Sequence, residues 1–184
     1  MNPTRVLIGL SVLLIASLAS AGPVVAKVQR TFPIYATDHD PGVRPTLPPA
    51  CLVPPCEYEF TGTVEYRGPD LTGIGEYALY FREGLDGKFH YHGYTRVRDA
   101  WVNHCGQGEM TILYKDGTTD PATLTSRDEW WIESGSGTEQ LTGLSGSGYD
   151  VIRDNGPAGT DGEVFGSVTC QPSEPQDRRA TADG

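Results

Sequence analysis

From Tyr58 to Cys170 apolar side chains recur at every second position, and that period limits the chain more than any other feature. EYEFTGTVEY places Tyr58, Phe60, Val64 and Tyr66 on one face and Glu57, Glu59, Thr61, Thr63 and Glu65 on the other. The same alternation groups Tyr77, Leu79 and Phe81, then Phe89, Tyr91, Thr95 and Val97, then Met110, Ile112 and Tyr114. It continues through Leu124, Trp130 and Ile132, then Tyr149 and Val151, and closes with EVFGSVTC. A two-residue period marks half-buried antiparallel strands, and no segment carries a long 3.6-residue apolar stripe. Asp86-Gly87, Asp116-Gly117 and the loop from Asp154 to Gly162 supply turns, because Asp-Gly provides the positive φ of tight hairpins. Seven or eight such strands lose their exposed edges by closing into an antiparallel up-and-down barrel; a β-sandwich is the alternative.

The flanks read differently. Arg5, an apolar run from Val6 to Leu18 and the small residues Ala19-Ser20-Ala21 form a secretory signal peptide over residues 1–21. The run falls short of the roughly 20 residues a spanning helix needs, so no stable membrane insertion is expected after cleavage. Residues 22–55 are proline-rich and predict an extended arm, partly disordered, leading into a barrel domain at 56–170. Residues 171–184 predict a disordered tail. The formal charge of −10 favours solubility and argues against nucleic acid as a partner. The chain therefore reads as exported, to the cell envelope or beyond.

Four cysteines in an exported chain imply two disulfides. A local Cys51–Cys56 loop would leave Cys105 with Cys170. The alternative joins Cys56, just before the first alternating strand, to Cys170 at the end of the last, with Cys51 reaching Cys105. The second is preferred, since closure of a barrel would bring first and last strands together. Their spacing fits no zinc pattern.

The stretch from Glu129 to Ile152 is the tightest corner. Glycine recurs at Gly135, Gly137, Gly143, Gly146 and Gly148 among the apolar residues Trp130, Ile132, Leu141 and Leu144. That pattern predicts an ordered bend between two strands, with backbone where a Cβ would be costly. The string IESGSGTEQLTGLSGSG resembles the signature of bacterial relatives of the allene oxide cyclase-like barrel, in an uncharacterised family with a GSGTxxLxGLxG pattern. Plant dirigent proteins have a comparable corner. The resemblance is good across Trp130 to Gly148, diffuse across Phe60 to Cys170 and absent before Cys56. It implies a small antiparallel barrel with a central cavity, in a group that spans cyclases, stereochemistry-guiding binders and members of no known activity. No catalytic motif carries over.

Three sets of residues could bear function. His90-Tyr91-His92 follows a glycine as in the opening of a cupin metal motif, which it resembles, and alternate strand residues can share an ion. The glutamate and second motif of a cupin are missing, and Phe89 and Tyr91 claim the buried face, so surface histidines and no metal or other cofactor are expected. Second, a three-residue hairpin loop at Lys115-Asp116-Gly117 would set His104 opposite Asp128 with the parity of the apolar face. An inward His–Asp pair is a candidate acid/base. Third, Tyr66, Tyr91, Met110, Trp130 and Tyr149 are candidate lining residues of a barrel just wide enough for side chains or one small ligand. There is no nucleophile elbow and no phosphate loop. The expected role is non-catalytic binding of a small apolar or aromatic ligand, or of a protein partner. A cyclase or isomerase acting inside the barrel is the alternative, and oligomeric state is left open.

Overall fold

A computed structural model describes residues 28–42 and 57–172. The expected signal peptide, Cys51, Cys56 and the expected tail beyond 172 lie outside the described residues. Eight strands form one closed antiparallel barrel in sequential order. They are β1 (Arg30–Asp40), β2 (Glu57–Arg67), β3 (Leu71–Glu83), β4 (Phe89–Val102), β5 (Gly106–Asp120), β6 (Thr125–Ile132), β7 (Ser145–Asp154) and β8 (Thr160–Cys170). The up-and-down barrel is thus present, and the sandwich is not.

The barrel begins earlier than its alternation suggests. β1 lies inside the proline-rich segment expected to be an arm, and pairs with β8 along its whole length, Arg30 opposite Cys170 through Asp40 opposite Thr160. Pro33 is tolerated for a geometric reason. β1 pairs with β2 only through Thr37–His39, opposite Glu65–Arg67. On that β2-facing side the Tyr35 N–H donates to Asp70 Oδ2 at 3.1 Å instead of to a strand. Pro33 shares the parity of Tyr35, so the donor it lacks belongs to the side with no ladder to satisfy. Its inward residues, Ile34, Ala36 and Asp38, alternate too, but a small side chain and an acid blur the pattern.

One end of the barrel is plugged. Leu71, Val97, Val102, Met110, Ile132 and Val168 are buried there. Cys105 and Cys170 are joined across it with Cα atoms 5.7 Å apart. This corrects the preferred Cys56–Cys170 pairing: β8 does meet β1, but β1 is Arg30–Asp40, and Cys170 ends beside the β4–β5 turn that carries Cys105.

The glycine-studded bend seals the same end. After β6 the chain turns at Gly135 (φ 80°), makes a single 3-10 turn at Glu139–Leu141, and re-enters β7 past Gly143 (φ 78°). Both glycines sit in the left-handed region that a Cβ disfavours. The bend also completes a ladder. β6 pairs with β5 only from Ile112 onward, and the first half of β5 would otherwise expose its amides. Ser136 Oγ, Thr138 Oγ1 and Gln140 Oε1 instead accept the backbone N–H groups of Thr111, Glu109 and Gln107, at 3.0, 2.9 and 2.8 Å. Leu141 and Leu144 drop into the plug fully buried. The Ser, Thr and Gln of the motif therefore do the work of a missing strand.

Candidate functional site

Among the described residues the opposite end stays open. Inside it is a cavity of about 320 Å³, reaching from the mouth to the middle of the barrel. Inward glycines make the room. A Cβ on Gly117 would strike the Tyr91 ring, and one on Gly162 would strike Asp38 Oδ1. Trp130 lies across Gly148 and Gly166, where added Cβ atoms would fall 2.7 and 2.6 Å from its Cζ2. These glycines trade strand stability for interior space.

The upper wall is aromatic. Phe60 from β2 meets Phe81 from β3 edge-on at 4.9 Å, and Phe81 stacks on Tyr91 from β4 at 4.7 Å. Below them lies a polar layer. Tyr91 Oη donates to Asp128 Oδ2 at 2.5 Å. The Tyr66 and Tyr114 hydroxyls share a hydrogen bond at 3.0 Å, and Thr95 Oγ1 is 3.0 Å from the Tyr114 hydroxyl. Tyr77 Oη donates to Asp40 Oδ2 at 2.5 Å nearer the mouth.

Three carboxyls face this layer: Asp38, Asp128 and Asp150, at 9%, 5% and 2% exposure. Asp128 and Asp150 stand directly opposite each other on β6 and β7. Asp128 Oδ1 and Asp150 Oδ1 are buried with no hydrogen-bond partner among the described residues. Burial is the main cause of an upward pKa shift at all three. Asp38 is pushed to about 6, with Asp161 and Asp40 adding repulsion against backbone amide hydrogen bonds that oppose it. Asp128 rises to about 7, although the Tyr91 hydrogen bond pulls it down. Asp150 rises well above the usual range, with Asp38 and Asp128 adding to desolvation. Tyr66, Tyr91 and Tyr114 are likewise driven up by burial and stay neutral donors. The cavity can therefore offer protonated or ionised carboxyls beside apolar faces, without any lining Lys, Arg or His among the described residues.

Of the anticipated residues, Tyr66 and Tyr91 line this cavity. Met110 and Trp130 are buried in the core rather than on the cavity wall. Tyr149 points outward, half exposed and stacked on Phe165 at 5.1 Å. The inner face of β7 is Gly146, Gly148, Asp150 and Ile152, one step from the apolar parity expected for Tyr149 and Val151, so an aspartate faces inward instead of a tyrosine.

The His104–Asp128 pair does not form. Lys115-Asp116-Gly117 is no hairpin loop but a bulge within β5, where pairing slips between Lys115 and Thr118 and Asp116 takes φ 56°. The β5–β6 turn lies at 121–124, beginning with Pro121. His104 sits in the β4–β5 turn at the plugged end, stacked on Phe32 at 4.6 Å, while Asp128 faces the cavity. His90 and His92 lie on the outer surface, His90 Nε2 3.2 Å from Asp86 Oδ1 and His92 stacked on Tyr80.

Sequence parity had flagged Asp128 but missed Asp38, Asp150, Thr95 as a polar partner, and the hydroxyl pair of Tyr66 and Tyr114. Asp38 was hidden by proline-rich surroundings. Asp150 was hidden by Tyr149 and Val151, whose bulk suggested the wrong face. No protein-family model matches the chain, and no curated protein matches it.

Proposed function

We propose that the protein is an exported barrel that takes one small, mainly apolar or aromatic molecule into its cavity and binds it without chemistry. The observation that carries this reading is the open cavity of about 320 Å³, within the size range of small-molecule sites, with ring faces above and a few convergent polar groups below. Export is supported by the leader-like N-terminus and by the Cys105–Cys170 disulfide, which belongs in an oxidising compartment. Among the described residues no helix is long and apolar enough to cross a membrane. Kinship with the allene oxide cyclase-like and dirigent barrels forms part of the proposal, supported by the glycine corner and by barrel closure. A cyclase or isomerase is the second reading, favoured by Asp128 and Asp150, since carboxyls that stay protonated towards neutral pH can act as general acids.

Titration with the neutral fluorophore N-phenyl-1-naphthylamine tests the binding reading. We expect saturable one-to-one binding, weakened about tenfold or more when Leu79→Trp fills the cavity. A linear signal, or an unchanged affinity in a folded Leu79→Trp protein, would overturn it.

A further inference from the structure

The polar layer is short of donors. Asp128 Oδ1 and Asp150 Oδ1 are buried and unpartnered among the described residues, and a buried carboxyl oxygen left so is costly. Nearby hydroxyls are already engaged: Tyr91 with Asp128 Oδ2, Tyr77 with Asp40, and Tyr66 and Thr95 with Tyr114. No cationic side chain lines the cavity among the described residues. A ligand that enters the cavity can supply the donor these two oxygens lack.

A neutral donor would satisfy one oxygen without offsetting the repulsion the carboxyls feel once they ionise. Asp128 and Asp150 are directly opposed across two strands, and Asp38 acts on both. One positive charge relieves all of these repulsions together. A bare metal ion is a poor fit, since among the described residues no three His, Cys, Asp or Glu side chains are grouped to hold one. The faces of Phe60, Phe81 and Tyr91 suit a cation with an apolar body, because aromatic faces attract organic ammonium groups.

Resting on the reading of the cavity as a ligand site, we propose that its occupant is a small organic ammonium ion, an alkyl- or arylalkylamine. Its charged nitrogen donates to Asp128 Oδ1 and Asp150 Oδ1, and its hydrocarbon lies against Phe60, Phe81 and Tyr91. Nothing covalent occurs. Binding draws the carboxyls towards ionisation, so it releases protons and tightens as pH rises. The ionisable groups facing the nitrogen are Asp38 and Asp40 from β1, Tyr66 from β2, Tyr77 from β3, Tyr91 from β4, Tyr114 from β5, Asp128 from β6 and Asp150 from β7. β8 contributes no inward ionisable side chain there, although Asp161 acts on Asp38 from outside. Tyr66, Tyr91 and Tyr114 stay neutral throughout, leaving Asp38, Asp128 and Asp150 to set the pH response.

Calorimetry of the purified chain at pH 8 with phenethylammonium, 2-phenylethanol and 3-phenylpropionate provides the test. We expect phenethylammonium to bind about tenfold or more tighter than the alcohol, as hydrogen bonds to charged groups require, and the carboxylate not to bind. Asp150→Asn should erase that preference while leaving alcohol affinity in place. In the unaltered protein, ammonium affinity should rise between pH 5 and pH 8 while alcohol affinity stays flat, a measurement that needs no variant. Equal affinity for amine and alcohol, a preference that survives in folded Asp150→Asn, or no pH response would each overturn the inference. If the alcohol binds as well as the amine, the cavity reading stands and only the charge assignment fails. If neither binds, both fail.

Discussion

The two ends of this barrel are built from the same strands to opposite specifications. The plugged end is aliphatic, disulfide-linked and capped by a bend whose side chains satisfy the amides of β5. The open end keeps aromatic rings half exposed around buried carboxyls, two of which leave one oxygen without a partner among the described residues. Packed apolar contact and satisfied hydrogen bonds at one end supply stability, which the other end gives up to desolvation and empty space.

The largest effect should come from the plug. Replacing Cys105 and Cys170 together by Ala removes a link that spans 65 residues, at a cost of about 4 kcal/mol in the chain-entropy picture. Urea unfolding of the variant would measure it, and a loss below about 1 kcal/mol would mean that the plug holds without its covalent tie.

The carboxyl layer gives the next effect, with opposite character. Asp38 and Asp128 have ordinary values of 3.8 and are raised to about 6 and about 7 on folding. The folded state thus holds extra protons between those values, so the stability they contribute is complete below pH 4 and is lost as pH climbs through 6 and 7. We expect a decline of a few kcal/mol between pH 4.5 and 8, and a flatter profile in Asp128→Asn. Stability that rises over this interval would show that the carboxyls are paired with a cation in the unliganded protein.

The smallest effect sharpens the contrast most directly. Leu141→Ala, in the plug, should cost about 3 kcal/mol, whereas Leu79→Ala, on a cavity wall, should cost about 1 kcal/mol. The Leu79 side chain already faces open space on one side, so its removal forfeits fewer contacts. Equal losses, read from denaturation midpoints, would erase the distinction between the ends.

What the sequence disclosed follows the same division. Where a strand carries large apolar residues inward, as in Val64-x-Tyr66 or Met110-x-Ile112-x-Tyr114, period alone identifies the inner face. The corner was legible as well, because its glycines and leucines serve packing. The site was not. Its distinctive residues are aspartates and glycines on the inner wall, which a search for apolar alternation assigns to the outside or to turns. In β7 this exchanged Asp150 for Tyr149, and in β5 a bulge at Asp116 was mistaken for a hairpin, shifting His104 towards a partner it never meets. A slip of one residue inverts a strand, and only pairing along the whole ladder resolves it.

The brief pairing between β1 and β2 has a mechanical meaning. A tube stitched firmly along most of its joints and lightly along one is stiff in nearly every direction and compliant at that seam. Thermal breathing will concentrate along its unpaired half, Arg30–Ala36, which runs from the paired residues around Asp38 towards the plugged end. Amide exchange should therefore be fastest along Arg30–Ala36 on its β2-facing side and slowest across β4 and β5.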